Sequence, residues 1–359
     1  MSSGRLPLRV TAASVVASMT LLGFASAAAG MVVAGSTVSM TTPATTTPAV
    51  SPRSSTGQGT LTRIAGADRV ATAVAISQAG FTTNQSAQAV VLATGSGFAD
   101  SLAGGPLAAH FQGPLLLLPP TGLVDVVRAE IQRVLPTGRT VYVLGGPAAI
   151  APSVDVQLQA AGFVPVRLAG DDRFATAVKV AQTLGDPPTV FEVDGTNYPD
   201  GLSAGPAAAL SHGVVLLTSG ATMPTASAAY LALHPADSRY AIGGPAAASD
   251  PSAKPLVGAD RYDTSVVVAG QLFAAPSAVA LAGGEEFPDA LAGGPVAGLN
   301  GAPLILVPPT GPLPASVQAY LNRASNSVLS AMLFGGTLAV STPVAKMIAQ
   351  ALVLVPSAT

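Results

Sequence analysis

One phrase is written three times in this chain. "GADRVATAV" begins at Gly66, "GDDRFATAV" at Gly170 and "GADRYDTSV" at Gly258. Aligning Asp68, Asp172 and Asp260 gives spacings of 104 and 88 residues. Those periods exceed the ~20 to 50 residues of solenoid repeats, so each copy is the size of a domain. Two further landmarks keep the same order. "FADSLAGGP" from Phe98 returns as "YPDGLSAGP" from Tyr198 and "FPDALAGGP" from Phe287. "VYVLGGPAA" from Val141 returns as "YAIGGPAAA" from Tyr240 and, more loosely, as "MLFGGTLAV" from Met332.

Each copy alternates short apolar runs with helical periodicity. In the first, "AVVLATG", "GPLLLLPP" and "TVYVLGG" are continuous apolar segments ended by Gly or Pro, the pattern of strands buried on both faces. Between the last two, Val124, Val127, Ile131 and Val134 share one helical face, with Asp125, Arg128, Gln132 and Arg133 largely on others. The second copy repeats the pattern with "GVVLLTS" and "ASAAYLAL", the third with "APLILVPP" and "ASVQAYLNRA". Strand, helix and strand in succession imply an α/β fold with parallel sheets.

The opening phrase then falls at a strand-to-helix turn. "LTRIAG" and "VRLAG" precede it as strands, and Asp68, Asp172 and Asp260 are placed to accept from the first free helix amides. Arg69, Arg173 and Arg261 follow directly. The second landmark reads the same way, with Asp100, Asp200 and Asp289 as caps of a helix starting near Ser101 and its equivalents. Pro106, Pro206 and Pro295 either kink that helix or sit near its first turn.

Composition limits the partners. Removing Arg5 and Arg9 with an N-terminal leader leaves 14 basic residues against 18 acidic ones, a net charge of −4. A general binder of nucleic acid or anionic membrane needs a basic field, so an anionic ligand here must be held by a few placed groups. With no cysteine there is neither a disulfide nor a thiolate metal site.

Arg5 and Arg9 precede a long apolar run with small-residue cleavage sites at Ala25–Ala27 and Val33–Gly35, which predicts secretion, and membrane contact only if the leader is left uncleaved. A Ser/Thr/Pro-rich stretch follows and is expected to be a disordered spacer. The expected organisation is a leader over 1–35, a spacer over 36–60, and repeats over 61–165, 166–254 and 255–359.

Other signatures are weak. "GSGFAD" lacks the last Gly of a dinucleotide fingerprint, no lysine loop for phosphate appears, and His110, His212 and His234 lack metal-ligand spacing. Neither cofactor nor metal is expected. The repeated Asp pairs raise the alternative of a glycan or peptide hydrolase using a repeat cleft, although capping accounts for the same residues. A self-assembling structural surface protein is the other alternative.

Together the "R-[IL]-A-G-x-D-R" opening, the "[FY]-x-D-x-L-[AS]-x-G-P" middle, the "PLLLL" and "PLILV" strands and the "GGP" strand end resemble the cell wall-binding type 2 repeats of Gram-positive surface proteins. The resemblance covers about residues 61 to 350. It implies three tandem Rossmann-like repeats around a pseudo-threefold axis, attached non-covalently to an anionic cell-wall polymer. No separate effector segment is visible in the sequence. The candidate ligand-binding residues are Arg69, Arg173, Arg261, Asp68, Asp172, Asp260, Asp100, Asp200 and Asp289. For the three Arg, ion pairing within the fold is the alternative role. Thr337 for Pro in the third "GGP", the absence from the third opening of an Arg matching Arg63 and Arg167, and the absence of "PPTG" from the second copy predict unequal sites. Richness in Ala, Gly and Val with three Lys fits a high-GC, actinobacterial source.

Overall fold

A computed structural model describes residues 59–356, so the expected leader and nearly all of the expected spacer lie outside the described residues. In chain order the first repeat comprises β1 (Thr60–Ile64), α1 (Arg69–Gly80), β2 (Ala89–Thr94), α2 (Gly104–His110), β3 (Leu115–Leu118), α3 (Asp125–Val134), β4 (Thr140–Leu144) and α4 (Ser153–Ala160). The second comprises β5 (Val164–Leu168), α5 (Arg173–Thr183), β6 (Thr189–Asp194), α6 (Pro199–Leu202), α7 (Ala204–Leu210), β7 (Val214–Thr218), α8 (Thr225–Leu233), β8 (Ser238–Ile242) and α9 (Gly244–Ser249). The third comprises β9 (Lys254–Leu256), α10 (Arg261–Leu272), β10 (Ala278–Gly283), α11 (Pro288–Leu299), β11 (Leu304–Val307), α12 (Ala315–Ala324), β12 (Ser330–Phe334), α13 (Thr342–Leu352) and β13 (Val355–Pro356).

The α/β alternation read from the sequence is the observed one. Three sheets form, in orders β3-β2-β4-β5, β7-β6-β8-β9 and β11-β10-β12-β1-β13. Every strand pairing in them is parallel. The predicted apolar runs are their centres: all four leucines of β3 are at most 1% exposed. On α3 the predicted face is buried at Val127, Ile131 and Val134, while Asp125, Arg128 and Gln132 face water.

The strands that open each copy are handed to a neighbour. β5 pairs with β4 of the first repeat, β9 with β8 of the second, and β1 with β12 of the third. The last of these pairings closes the three units into a ring, because the start of the chain completes the sheet made near its end. Leu61, 3% exposed, thus belongs to the apolar core of the third repeat rather than the first.

Helices α2, α7 and α11 pack against one another around the pseudo-threefold axis. Small residues allow the approach: a Cβ built on Gly105 would lie 3.5 Å from the Cα of Gly205, and one built on Gly298 would lie 2.4 Å from the Cβ of Ala209. The prolines take both positions left open by the sequence. Pro106 and Pro206 sit in the first turns of α2 and α7, whereas Pro295 lies inside the continuous α11. At one end of the axis Phe98, Tyr198 and Phe287, one from each repeat, meet at interplanar angles of 60° to 64° with ring centroids 5.3 to 6.0 Å apart.

Leu61→Ala is expected to cost about 2 to 4 kcal/mol, as buried Leu truncations do. Hydrogen exchange should show the lost protection in β12 as well as β1, and protection lost in the first sheet instead would refute the ring closure.

Candidate functional site

In each opening turn a strand ends, a glycine amide closes the loop, and an aspartate starts the helix. Gly66, Gly170 and Gly258 donate to the hydroxyls of Thr72, Thr176 and Thr264 at 3.0, 3.0 and 3.2 Å. Asp68, Asp172 and Asp260 accept from the amides of Ala71, Ala175 and Asp263 at 2.8, 2.8 and 2.9 Å, which are the N-caps expected from the sequence. The next residue reaches across its own repeat. Arg69, Arg173 and Arg261 donate from Nη1 to the carbonyls of Gly95, Gly195 and Gly284 at 2.6, 2.6 and 2.7 Å. Those carbonyls lie just beyond the carboxyl ends of β2, β6 and β10. The sheet order reverses there, between β2 and β4 and their equivalents, the place where open α/β sheets bind ligands.

The second set of aspartates corrects the sequence reading. Asp100 precedes α2, and Asp200 and Asp289 lie in the first turns of α6 and α11, whose N-caps make no side-chain hydrogen bond. These carboxylates instead press on the glycine just beyond β4, β8 or β12, the strand beside their own in the sheet. A Cβ on Gly145, Gly243 or Gly335 would lie 2.5, 2.3 or 2.2 Å from Oδ2 of Asp100, Asp200 or Asp289. The same glycines have φ of 95°, 86° and 100°, which L side chains rarely adopt. The repeated "GG" is thus the imprint of the aspartate upstream.

The two aspartate sets meet across repeat boundaries. Arg69 lies 4.0 Å from Glu286, and its guanidinium sits 5.7 Å over the Phe287 ring. Arg173 sits 5.8 Å over Phe98. Asp200 of the second repeat interacts with Arg261 and Thr264 of the third, and Asp289 of the third with Arg69 of the first. Two clefts result. One of about 490 Å³ contains Asp68, Arg69, Glu286, Asp289 and Leu338; another of about 310 Å³ contains Asp194, Asp200, Asp260, Arg261 and Thr264.

In both clefts carboxylates outnumber the single guanidinium. Burial pushes the Asp200 and Asp289 carboxyls above their usual range, and the neighbouring arginines only partly offset it. These clefts therefore offer hydroxyl acceptors around one bidentate donor rather than a positive field. Among the described residues no cluster of three or more His, Cys, Asp or Glu is arranged to hold a metal ion.

Sequence reasoning missed several members of this arrangement. The threonine six residues after each opening glycine recurs in all three copies and was the available signal. So was the aromatic that opens each second landmark and ends on the axis. Arg63 and Arg167 brace the glycine turns, donating to the carbonyls of Gly335 and Val340 and of Gly145 and Ile150. In the third opening Pro255 stands at that position and has no such reach.

Three stretches, residues 63–155, 167–252 and 256–345, match the model of cell wall binding domain 2. The chain belongs to the cell wall binding domain 2 family. Cell-wall binding is therefore the function class of its repeats, and the wall or cell surface their location. The fold is similar to Cwp8 from Clostridium difficile (TM-score 0.74, 25% identity, 82% of this chain and 52% of that one). Its likeness to Cwp6 from the same organism, at TM-score 0.72 and 22% identity over 82% and 48%, is one of fold. Among curated proteins it is 27% identical over 292 residues to the N-acetylmuramoyl-L-alanine amidase LytC of Bacillus subtilis, covering 80% of this chain and 57% of that protein. It is 24% identical to the amidase enhancer of the same species, covering 68% and 34%. The chain thus spans about half or less of the length of these relatives.

Gly335→Ala is expected to cost more than about 1 to 2 kcal/mol, from the positive φ together with the approach of Asp289. Asp289→Ala should recover part of that loss in the double variant, read by denaturant unfolding. Full additivity would separate the glycine from the aspartate. Because the Asp289 carboxyl is raised on folding, its contribution to stability is complete in acid and falls as pH rises through its folded value. Asp289→Asn should accordingly gain on the native chain between acid and neutral pH, measured as the difference in Tm.

Proposed function

We propose that the three repeats anchor the protein to the cell wall by holding an anionic wall polymer non-covalently in the clefts between repeats, without turning it over. The observation that carries this reading is the recurrence of one guanidinium and its ring of carboxylates at the switch point of successive sheets. Arg69 keeps 44% of its side chain exposed while Nη1 is fixed on Gly95, so the rest of its fork is available to a phosphate or carboxylate oxygen. Asp200 and Asp289 are placed to accept hydroxyls of a glycan or polyol. With carboxylates in excess, recognition rests on these placed groups and not on net charge.

Binding is favoured over hydrolysis by the state of the carboxylates. Asp68, Asp172 and Asp260 are engaged as helix caps, which leaves no free pair of acids recurring in every copy. Secretion through the N-terminal leader, with the Ser/Thr/Pro-rich stretch as a spacer, completes the proposal.

The test is co-sedimentation of the chain from Ser36 onward with purified walls, before and after chemical stripping of their anionic polymers. Sedimentation should be lost on stripping. Replacing Arg69, Arg173 and Arg261 together by Lys keeps the charges but removes the forks, and should weaken binding about tenfold or more. Undiminished binding to stripped walls would overturn the anionic ligand, and release of soluble wall fragments would overturn a purely binding role.

A further inference from the structure

The second repeat differs from its neighbours in its interior. In the first and third repeats a helix returns over the sheet after the glycine turn: α4 has eight residues and α13 eleven, burying Val154 and Leu158, and Val344, Ile348 and Leu352. In the second repeat the corresponding α9 has six residues, and the three-residue strand β9 follows almost at once. Beneath it a small apolar cluster of Ala241, Ala246 and Ala253 lies beside buried charge. Glu192, 0% exposed at the centre of β6, stands where the other repeats have Leu92 and Leu281. Arg239 stands at the position of Val141 and Ala331, and pairs with Asp250 at 2.9 Å.

Neither carboxylate oxygen of Glu192 receives a donor. Its charged neighbours are Asp250, from the turn after α9, and Arg239, from β8, and Arg239 is engaged by Asp250. The other elements on this face add none that reaches it. β7, α8 and α9 carry no charged residue, and Lys179 of α5 is exposed and bonded to the Ala169 carbonyl. Two ionised carboxylates cannot bond each other, but a protonated Glu192 can donate to Asp250. Asp250 in turn accepts from the Ser252 amide and hydroxyl, which ties the segment between α9 and β9 to the sheet.

We propose that the Glu192–Asp250 pair is a pH-responsive latch, holding the α9–β9 segment shut while Glu192 keeps its proton and loosening it as that proton is lost. The consequence reaches the cleft between the second and third repeats, since Gly244 and Pro245 of the latched segment, and Val257 directly after it, line it together with Arg261. The latch is a property of the second repeat's fold and does not depend on what the clefts bind.

Burial pushes the Glu192 carboxyl well above the usual glutamate range, up to about 8, with Asp250 adding to the rise and Arg239 opposing it. A raised carboxyl stabilises the closed segment fully below its open-state value and loses that contribution as pH rises to the closed-state value. The window is thus about pH 5 to 8.

Hydrogen exchange of the full chain, expressed as protection factors to remove the intrinsic pH effect, tests this. Protection over residues 244–256 should fall by about tenfold per pH unit across the window and then level off, the slope of one proton. The matching segment of the third repeat, 336–356, should change less across the window, because Leu281 stands in place of Glu192 and the raised Asp289 carboxyl meets it at the Gly335 turn. Glu192→Gln, of equal size, should abolish the slope, as should Glu192→Leu, the residue of the other repeats. If neither variant folds, Asp250→Asn removes the like charge and should bring the levelling to lower pH. A flat native profile, a slope that survives loss of Glu192, or an unmoved levelling point in Asp250→Asn would each overturn the latch.

Discussion

The architecture rests on the hand-over of one strand per repeat. Backbone donors and acceptors on a sheet edge must be paired or exposed, and here the edge beside β4, β8 and β12 is paired by the strand that opens the following copy. Sequence repeat and sheet are therefore offset by one strand, and no sheet is complete without its neighbour's chain. The offset also fixes the site. A strand lying in one sheet leads into a helix that packs in the next repeat, so the turn between them must straddle a boundary. The capped Asp-Arg turn is that crossing point, which is why Arg261 meets Asp200 and Arg69 meets Asp289, each from a different copy, and Arg173 sits over Phe98 of the first.

Much of this was legible in the sequence because it was written three times. Recurrence separated the repeated glycines, aspartates and arginines from their surroundings, and continuous apolar runs alternating with a period-3.6 helical face pointed to the parallel sheets. The caps at Asp68, Asp172 and Asp260 followed from local chemistry alone, since the acceptor and its amide are three residues apart. The second aspartates did not, because their partners lie more than forty residues away in sequence, at glycines on the end of another strand. A short-range rule supplied a cap where a long-range contact was the cause. The strand exchange was equally hidden, since a parallel strand carries no local mark of the sheet it joins.

The clefts combine two demands that oppose one another. Arg69, Arg173 and Arg261 must be fixed for the turn to hold, and each is fixed by a carbonyl in its own repeat. A guanidinium carries five donors, so one such bond leaves most of the fork unspent. Aromatic faces beneath Arg69 and Arg173 hold the group flat without consuming its remaining donors. Structural and ligand roles for these arginines are thus compatible rather than exclusive, with different edges of one planar group serving each.

Pseudo-symmetry makes the departures informative. The aromatic trio requires one ring from each copy, and the axial helices require small residues from each, so those features are held in common. Away from the axis the constraint lapses. The second repeat shortens its return helix, and its cleft acquires Asp194, fixed by Thr196 and Gly220. The third replaces Pro by Thr337 and sets Leu338, 96% exposed, at the rim of the cleft it shares with the first. Clefts built on one Asp-Arg plan thereby come to differ in volume, apolar surface and charge. A ring that must be regular at its centre is free to diversify at its boundaries, and the boundaries are where the candidate ligand groups lie.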